Sequence, residues 1–539
     1  MLWSTRSLVA LAASFTTFVQ SCPAWTVGQE VETTSGKVKG IESPWPANSK
    51  VSAYLGIQYA EHPEGQLRFA APKRFYGNGS IPGDKFVGYC FPFNHPKLTS
   101  HTSGTSALAA YGEGMGGGAD HVYSEKCLSV NVWTKPQTGE AKKAVLVWIY
   151  GGGFSAGTSN APFYDGGKLA AEEDVVVVSL NYRTNLFGFP GAPGIPEQNF
   201  GLLDQRVAVE WTRDNIAAFG GDPNRITLFG ESAGGSSVDM YAYAWTKDPI
   251  VSGFIAQSGT AGILQSTGNV SSAWYQISRS VGCGGVEAGN ATVDCMRQVD
   301  SAKLMDALGN ISTGTGIAGV TSFGPMPDEK VVFRNYTTRG QAGNFIKKPL
   351  IVGNTDNEGG LFTYMASAAA GTSNSSGSGG LSLPTLPGGF NPIDLVLSCP
   401  SGPAALVRVQ NKVPVWRFRY MGVWPNTALS PDTGAYHSSD VPMVFGATDR
   451  KRGASPNTPE QEATSKFIRH AWATFAKDPA AGLLGLDWPT YEPAKDTLLR
   501  IGYNNQSTLN LAKGDTYDAG CNLLGDLGAG LPGRRRRRV

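Results

Sequence analysis

Residues 225–229 (Arg-Ile-Thr-Leu-Phe) read as a β-strand, and the chain then passes through Gly230-Glu231-Ser232-Ala233-Gly234-Gly235 into a helical stretch over 236–245. Strand, abrupt reversal and helix within so few residues constrain the fold more tightly than anything else in the chain. The reversal strains the backbone of the residue at its tip and presents that side chain at the end of a sheet. Gly230 and Gly234 remove β-carbons that would collide there, and Ser232 takes the tip. The spacing alone is weak, because glycine supplies 69 of 539 residues and the pattern recurs at Gly153-Phe154-Ser155-Ala156-Gly157. No strand directly precedes Ser155, so Ser155 is read as a loop residue and Ser232 as the nucleophile.

The remaining chain supplies the layers such a turn requires. Strand-type runs lie at 51–59, 144–150, 175–181, 225–229, 254–257, 349–353 and 413–420, with helical spacing at 201–219, 273–281 and 460–475. Strands alternating with helices predict an α/β fold, a mostly parallel central sheet with helices on both faces. The run Val175-Val176-Val177-Val178 suits a strand buried on both sides. Two stretches break the pattern: 99–120 is rich in Gly, Ser, Thr and Ala, and 366–389 richer still in Gly and Ser. Both are read as solvated loops.

Trp148-Ile149-Tyr150-Gly151-Gly152-Gly153-Phe154 reads as a strand ending in three glycines whose N–H groups are free to meet an anion. A serine hydroxyl also needs a base, usually a histidine held by a carboxylate. With the chain order serine, acid, histidine, only His437 and His470 qualify. His437 lies in a loop after the 413–420 strand, whereas His470 falls inside a helical segment, so His437 is preferred. The acid belongs in the loop after the 349–353 strand, where spacing leaves Asp356 and Glu358 both open.

Residues 1–24 have a short basic head and a short apolar run, the pattern of a secretory signal peptide cleaved after Ala24, with Ser21 as the alternative. The run is too short for a membrane span, and no stable membrane insertion is expected. Sequons at Asn78, Asn269, Asn290, Asn310, Asn335, Asn374 and Asn505 fit secretion. Seven cysteines include Cys22 in that leader; the other six suit an oxidising compartment, and no C-x-x-C pair points to a metal. The formal net charge is +2, yet five positive charges sit in Arg534 to Arg538. The folded body is therefore slightly acidic, which argues against a nucleic-acid partner. One domain is expected over 25–532, with a basic tail over 533–539.

Further motifs carry a resemblance. They include Gly56-Ile57-Gln58-Tyr59-Ala60 with Arg68-Phe69, Ser124-Glu125-Lys126-Cys127-Leu128 with Asn131-Val132-Trp133, and Asn181-Tyr182-Arg183. Gly201-Leu202-Leu203-Asp204-Gln205-Arg206, Phe219-Gly220-Gly221-Asp222-Pro223 and Gly434-Ala435-Tyr436-His437 follow. With the two glycine motifs above, they make the chain resemble the carboxylesterase type-B family of α/β-hydrolases, which includes cholinesterases and fungal lipases. The resemblance implies Glu358 as the acid. It implies disulfides Cys90–Cys127, Cys283–Cys295 and Cys399–Cys521, and ion pairs Arg68–Glu125 and Arg183–Asp204. It further implies that His437 takes the Ser232 proton, that Glu358 orients the imidazole, and that the N–H groups of Gly152, Gly153 and Ala233 hold the oxyanion. The implied activity is hydrolysis of a small-molecule ester through an acyl-enzyme, without metal or organic cofactor. Glu231 either biases the site toward cationic or polar groups or sets local structure.

The chain departs from the family pattern at Tyr150, where many relatives carry histidine, at Lys126, and in a short interval between Glu358 and His437. Two other readings are carried. A lipase acting on long-chain acylglycerols at an interface would need an amphipathic lid in the Cys90–Cys127 loop, for which 99–120 is too rich in Gly and small residues. A non-catalytic adhesion or binding member of the fold would typically lack the serine, acid or histidine present here.

Overall fold

The side chains of Val175 to Val178 are completely buried, because their strand lies inside a sheet covered on both faces. The computed structural model describes residues 25–92, 107–116, 122–135, 142–263, 265, 270–310, 323–371, 391–451 and 453–521. The expected leader and the arginine tail lie outside the described residues.

Among the described residues, the main sheet has eleven strands. They are β1 (Ile41–Glu42), β2 (Ser52–Gln58), β3 (Ser129–Thr134), β4 (Lys143–Ile149), β5 (Val176–Leu180) and β6 (Gly221–Glu231). The others are β7 (Gly253–Gln257), β8 (Leu350–Thr355), β9 (Val415–Tyr420), β10 (Asp496–Ile501) and β11 (Leu511–Lys513). The spatial order is β11-β10-β9-β8-β7-β6-β4-β5-β3-β2-β1. Neighbours from β10 to β5 run parallel. Antiparallel pairs flank them. A separate three-stranded sheet joins Glu30–Thr33, Gly36–Lys39 and Ser80–Ile81.

Register brings the carboxyl ends together. Ile149 pairs with Gly230, Glu231 with Gln257, Gln257 with Gly353, and Thr355 with Tyr420. The segments leaving β4, β6, β7, β8 and β9 therefore emerge along one rim, where open α/β sheets bind their ligands. Among helices, α1 (Ala107–Gly116), α2 (Phe200–Asn215), α3 (Ala233–Ala244), α4 (Gly359–Gly371) and α5 (Pro459–Lys477) bear on the site. The α5 start is well capped: the Thr458 side chain accepts from the Gln461 N–H, Pro459 follows, and Glu460 and Glu462 face the helix dipole. Its buried face carries Trp472 and Phe475.

One aromatic cluster locks the rim. The Trp148 ring packs 4.8 Å from Phe229, 5.0 Å from Phe445 and 5.2 Å from Tyr164, centroid to centroid. Phe445 belongs to the short helix Val441–Phe445 that follows His437, so dispersion between these rings ties the histidine loop to β4 and β6.

Strand and helix limits shift by a few residues from the expected ones, and in the main sheet β1, β3, β10 and β11 were not expected from pattern. The reading of 99–120 as a solvated loop is corrected over 107–116, which forms α1 and buries Ala109, Tyr111 and Gly114. Tertiary contacts hold this helix where glycine-rich composition disfavours it. Likewise 366–371 belongs to α4, while 372–389 lies outside the described residues.

Disulfides join Cys90 to Cys127, Cys283 to Cys295 and Cys399 to Cys521. Arg68 bridges Glu125 through two bonds of 2.7 and 2.5 Å, and Arg183 bridges Asp204 through bonds of 2.8 and 2.7 Å. A further buried pair, Arg408–Asp239, and a pair between buried Arg417 and half-buried Asp518 were not apparent from sequence. Asp204→Ala would leave the buried Arg183 guanidinium without its partner, and removing one side of such a pair costs about 3–5 kcal/mol. Chemical denaturation should show that loss as a lower midpoint, and an unchanged midpoint would contradict it.

Candidate active site

The turn that holds the candidate nucleophile, Ser232, is built from close backbone approach. Ser232, between β6 and α3, sits at φ 58° and ψ −122°, a strained conformation for a residue with a side chain. Its N–H donates to the Gln257 carbonyl at 2.8 Å, and its carbonyl accepts from the Ser236 N–H at 2.9 Å. A β-carbon on Gly234 would overlap the Ile149 carbonyl oxygen, and one on Gly230 would lie 2.6 Å from the Gly234 carbonyl carbon. Both positions therefore demand glycine. Ser155 is separate: it is buried, and its hydroxyl donates to the Gly153 carbonyl at 3.0 Å.

The acid and the histidine meet across two loops. The Asn357 N–H donates to the Ala435 carbonyl at 2.9 Å, which fixes the loop after β8 against the loop after β9. His437 Nδ1 then lies 2.5 Å from Glu358 Oε2. Glu358 Oε1 accepts from Ser258 Oγ at 2.7 Å and from the Thr355 N–H at 2.8 Å. Asp356, the alternative left open by spacing, instead pairs with Arg419 at 2.5 Å. His470 lies on α5, with Nδ1 2.9 Å from Glu173.

The other ring nitrogen faces the nucleophile turn. His437 Nε2 lies 3.2 Å from Glu231 Oε1, and Glu231 directly precedes Ser232. A β-carbon on Gly151 would lie 2.8 Å from Ser232 Cβ and 2.9 Å from Glu231 Oε2, so serine and glutamate border the same small space. Among the described residues, no hydrogen bond joins the Ser232 hydroxyl to His437. The imidazole is engaged by Glu231 instead. Nearby, Gly152 and Gly153 adopt φ of 111° and 63°. Their N–H groups donate no hydrogen bond among the described residues, and the Ala233 N–H, first in α3, has no intrahelical carbonyl to reach.

Burial opposes charge on the His437 imidazole, but the carboxylates of Glu231 and Glu358 outweigh it and hold its pKa at about 9. Burial pushes Glu231 up to about 7 against the pull of His437 and Ser438. Glu358 is also buried, yet His437, Ser258 and the Thr355 N–H hold its carboxyl below the usual range. The imidazolium is thus favoured with Glu358 ionised, the pairing that stabilises a histidine after it accepts a proton.

Several participants escaped sequence reasoning. Ser258 could have been suspected from its place directly after β7. Ser438, whose hydroxyl donates to Glu231 Oε1 at 2.6 Å, and Phe362, whose ring centroid lies 5.4 Å from the imidazole, carry no local signal. Asp440 accepts from Gln257 Nε2 at 2.7 Å and is pushed up to about 6 by burial.

The chain is similar to several known proteins over most of its length. The model of the Carboxylesterase family matches residues 27–378. Secreted lipase 5 of Gibberella zeae is 33% identical over 497 residues, 87% of this chain and 90% of the relative. A chlorogenic acid esterase of Aspergillus niger is 34% identical over 492 residues, 88% and 90% of the two chains. An acetylcholinesterase of Danio rerio is 35% identical over 341 residues, 62% of this chain and 51% of its own. A solved PNB esterase superposes with a TM-score of 0.71 at 28% identity, covering 90% of this chain and 97% of that one.

The carboxylates around His437 set a pH dependence. A general base works only when neutral, so with His437 as the expected base hydrolysis should fall on the acid side as the imidazole takes up a proton. Glu231→Gln removes one charge that favours the imidazolium, which lowers the histidine pKa. The acid limb of kcat/KM should then move to lower pH by about one pH unit, or ~1.4 kcal/mol. A limb that stays in place or moves upward would contradict this reading of Glu231.

Proposed function

The chain belongs to the carboxylesterase family and is a carboxylic ester hydrolase, and we propose that it is a secreted serine esterase acting through an acyl-enzyme on Ser232. The observation that carries this reading is the 2.5 Å contact of Glu358 with His437 Nδ1, which leaves Nε2 facing the turn that holds the serine.

In this reaction His437 Nε2 turns from Glu231 to Ser232 Oγ and removes its proton as the oxygen attacks the ester carbonyl. The carbonyl oxygen takes the displaced electron pair and is held by the N–H groups of Gly152, Gly153 and Ala233; one such donor is commonly worth ~10²–10³ in turnover. Glu358 stabilises the imidazolium. That imidazolium then gives its proton to the departing alcohol as the carbon–oxygen bond breaks, leaving the acyl group on Ser232. Water, deprotonated by the same imidazole, attacks the acyl carbon, and the proton returns to Ser232 Oγ as the acid leaves.

The substrate class is a small-molecule ester. Secretion is supported by the three disulfides, by exposed sequon asparagines at 78, 290, 310, 335 and 505, and by a relative named as secreted. Among the described residues, no helix is long and apolar enough to cross a membrane. A second reading, a lipase acting at an interface, is favoured by one observation: α1 lies in the Cys90–Cys127 loop and packs against the histidine loop. The small, glycine-interrupted side chains of α1 offer a narrow apolar face, which favours the esterase.

A fluorophosphonate probe should label Ser232, and Ser232→Ala should abolish both labelling and turnover, the latter by roughly 10⁴-fold or more. Labelling at Ser155 would refute the assignment. With esters graded from acetate to oleate, the expected preference is for soluble short chains; a rate jump above the solubility limit would establish the lipase reading instead.

A further inference from the structure

The helix α1 reaches the histidine through a single buried side chain. Tyr111 is almost fully buried, and its hydroxyl donates to the main-chain carbonyl of His437 at 3.4 Å. Among the described residues, that carbonyl accepts no other hydrogen bond. The Tyr111 ring meets Tyr436, the residue before the histidine, edge to face at 5.5 Å. It meets Phe163 at 6.4 Å. α1 itself is seated on the Pro162–Tyr164 turn: a β-carbon on Gly114 would enter the Phe163 ring, and the Tyr164 hydroxyl donates to Met115 Sδ at 3.8 Å.

The loop on which Tyr111 acts needs an external hold. Ser438 follows the histidine with φ at 70°, a left-handed backbone that a serine adopts only when its surroundings fix it. That twist directs the Ser438 hydroxyl to Glu231 Oε1, the oxygen that also faces His437 Nε2. Glu231 thus holds the Ser438 hydroxyl and the imidazole, while the Tyr111 hydroxyl reaches the His437 carbonyl and lies against the same Ser438 side chain. The proposed reaction needs the imidazole to swing from Glu231 to Ser232 while its backbone stays still. Misplacing a reacting group by even one ångström is costly in rate.

We propose that Tyr111 is a positioning residue for the hydrolysis, holding the His437–Ser438 backbone so that the imidazole can turn between Glu231 and Ser232. This rests on the assignment of Ser232 and His437 made above. It also gives the Cys90–Cys127 loop a direct mechanical link to the base, through a helix distant in sequence from it.

The test compares Tyr111→Phe and Tyr111→Ala in the full-length protein, with active sites counted by stoichiometric fluorophosphonate release and stability followed by thermal melting. Tyr111→Phe retains the ring packing and removes only the hydroxyl; kcat per titrated site should fall about tenfold with KM within about twofold. Tyr111→Ala, which also frees the loop from Tyr436, should lose more. Were both variants to turn over at the parent rate per titrated site, even with a lowered melting temperature, Tyr111 would be a packing residue and the proposal would fail. Failure of the serine assignment would look different, since the parent protein itself would then not be labelled at Ser232.

Discussion

The close approach of Gly234 to the Ile149 carbonyl is the constraint on which the site depends. It lets α3 start directly against the end of β4, which presses the turn holding Ser232 onto the glycine segment that follows the same strand. Ser232 therefore lies beside the glycine segment, whose Gly152 and Gly153 N–H groups donate no hydrogen bond among the described residues. The strain at Ser232 is borne by its two main-chain bonds, to Gln257 and from Ser236, and by the two parallel strands flanking β6. A methyl group at position 234 would separate serine and amides together.

Around that fixed turn, the histidine is supported by charge and by packing. Glu358 is saturated by Ser258, the Thr355 N–H and His437, so it stays ionised although it is buried. Glu231 lies across the ring and is pulled in two directions, toward neutrality by burial and toward ionisation by the imidazole. Two carboxylates on one imidazole favour its protonated form. The rings of Phe445, Phe229 and Trp148 keep this loop against the sheet.

Much of this was legible in the residues. The elbow, the three glycines and the apolar strand runs announce themselves because backbone chemistry leaves local marks: glycine where β-carbons collide, branched residues where a strand is covered on both faces. Asp356 and Glu358 could not be told apart locally, since both lie in one loop and their partners, Arg419 and His437, arrive from distant segments. α1 was missed for a related reason. Its alanines and glycines carry no strong period, and the helix is held by Tyr111 and by Phe163 beneath Gly114. Ser438 and Glu231 likewise meet only in the folded chain, 207 residues apart.

The most direct measurement is a crystal structure of the protein phosphonylated at the reactive serine. The expected result places the phosphoryl oxygen within ~3 Å of the N–H groups of Gly152, Gly153 and Ala233. His437 Nε2 should then have turned from Glu231 toward the oxygen of Ser232. A phosphoryl oxygen directed away from those amides, with the imidazole still on Glu231, would contradict the convergence of serine, base and oxyanion hole.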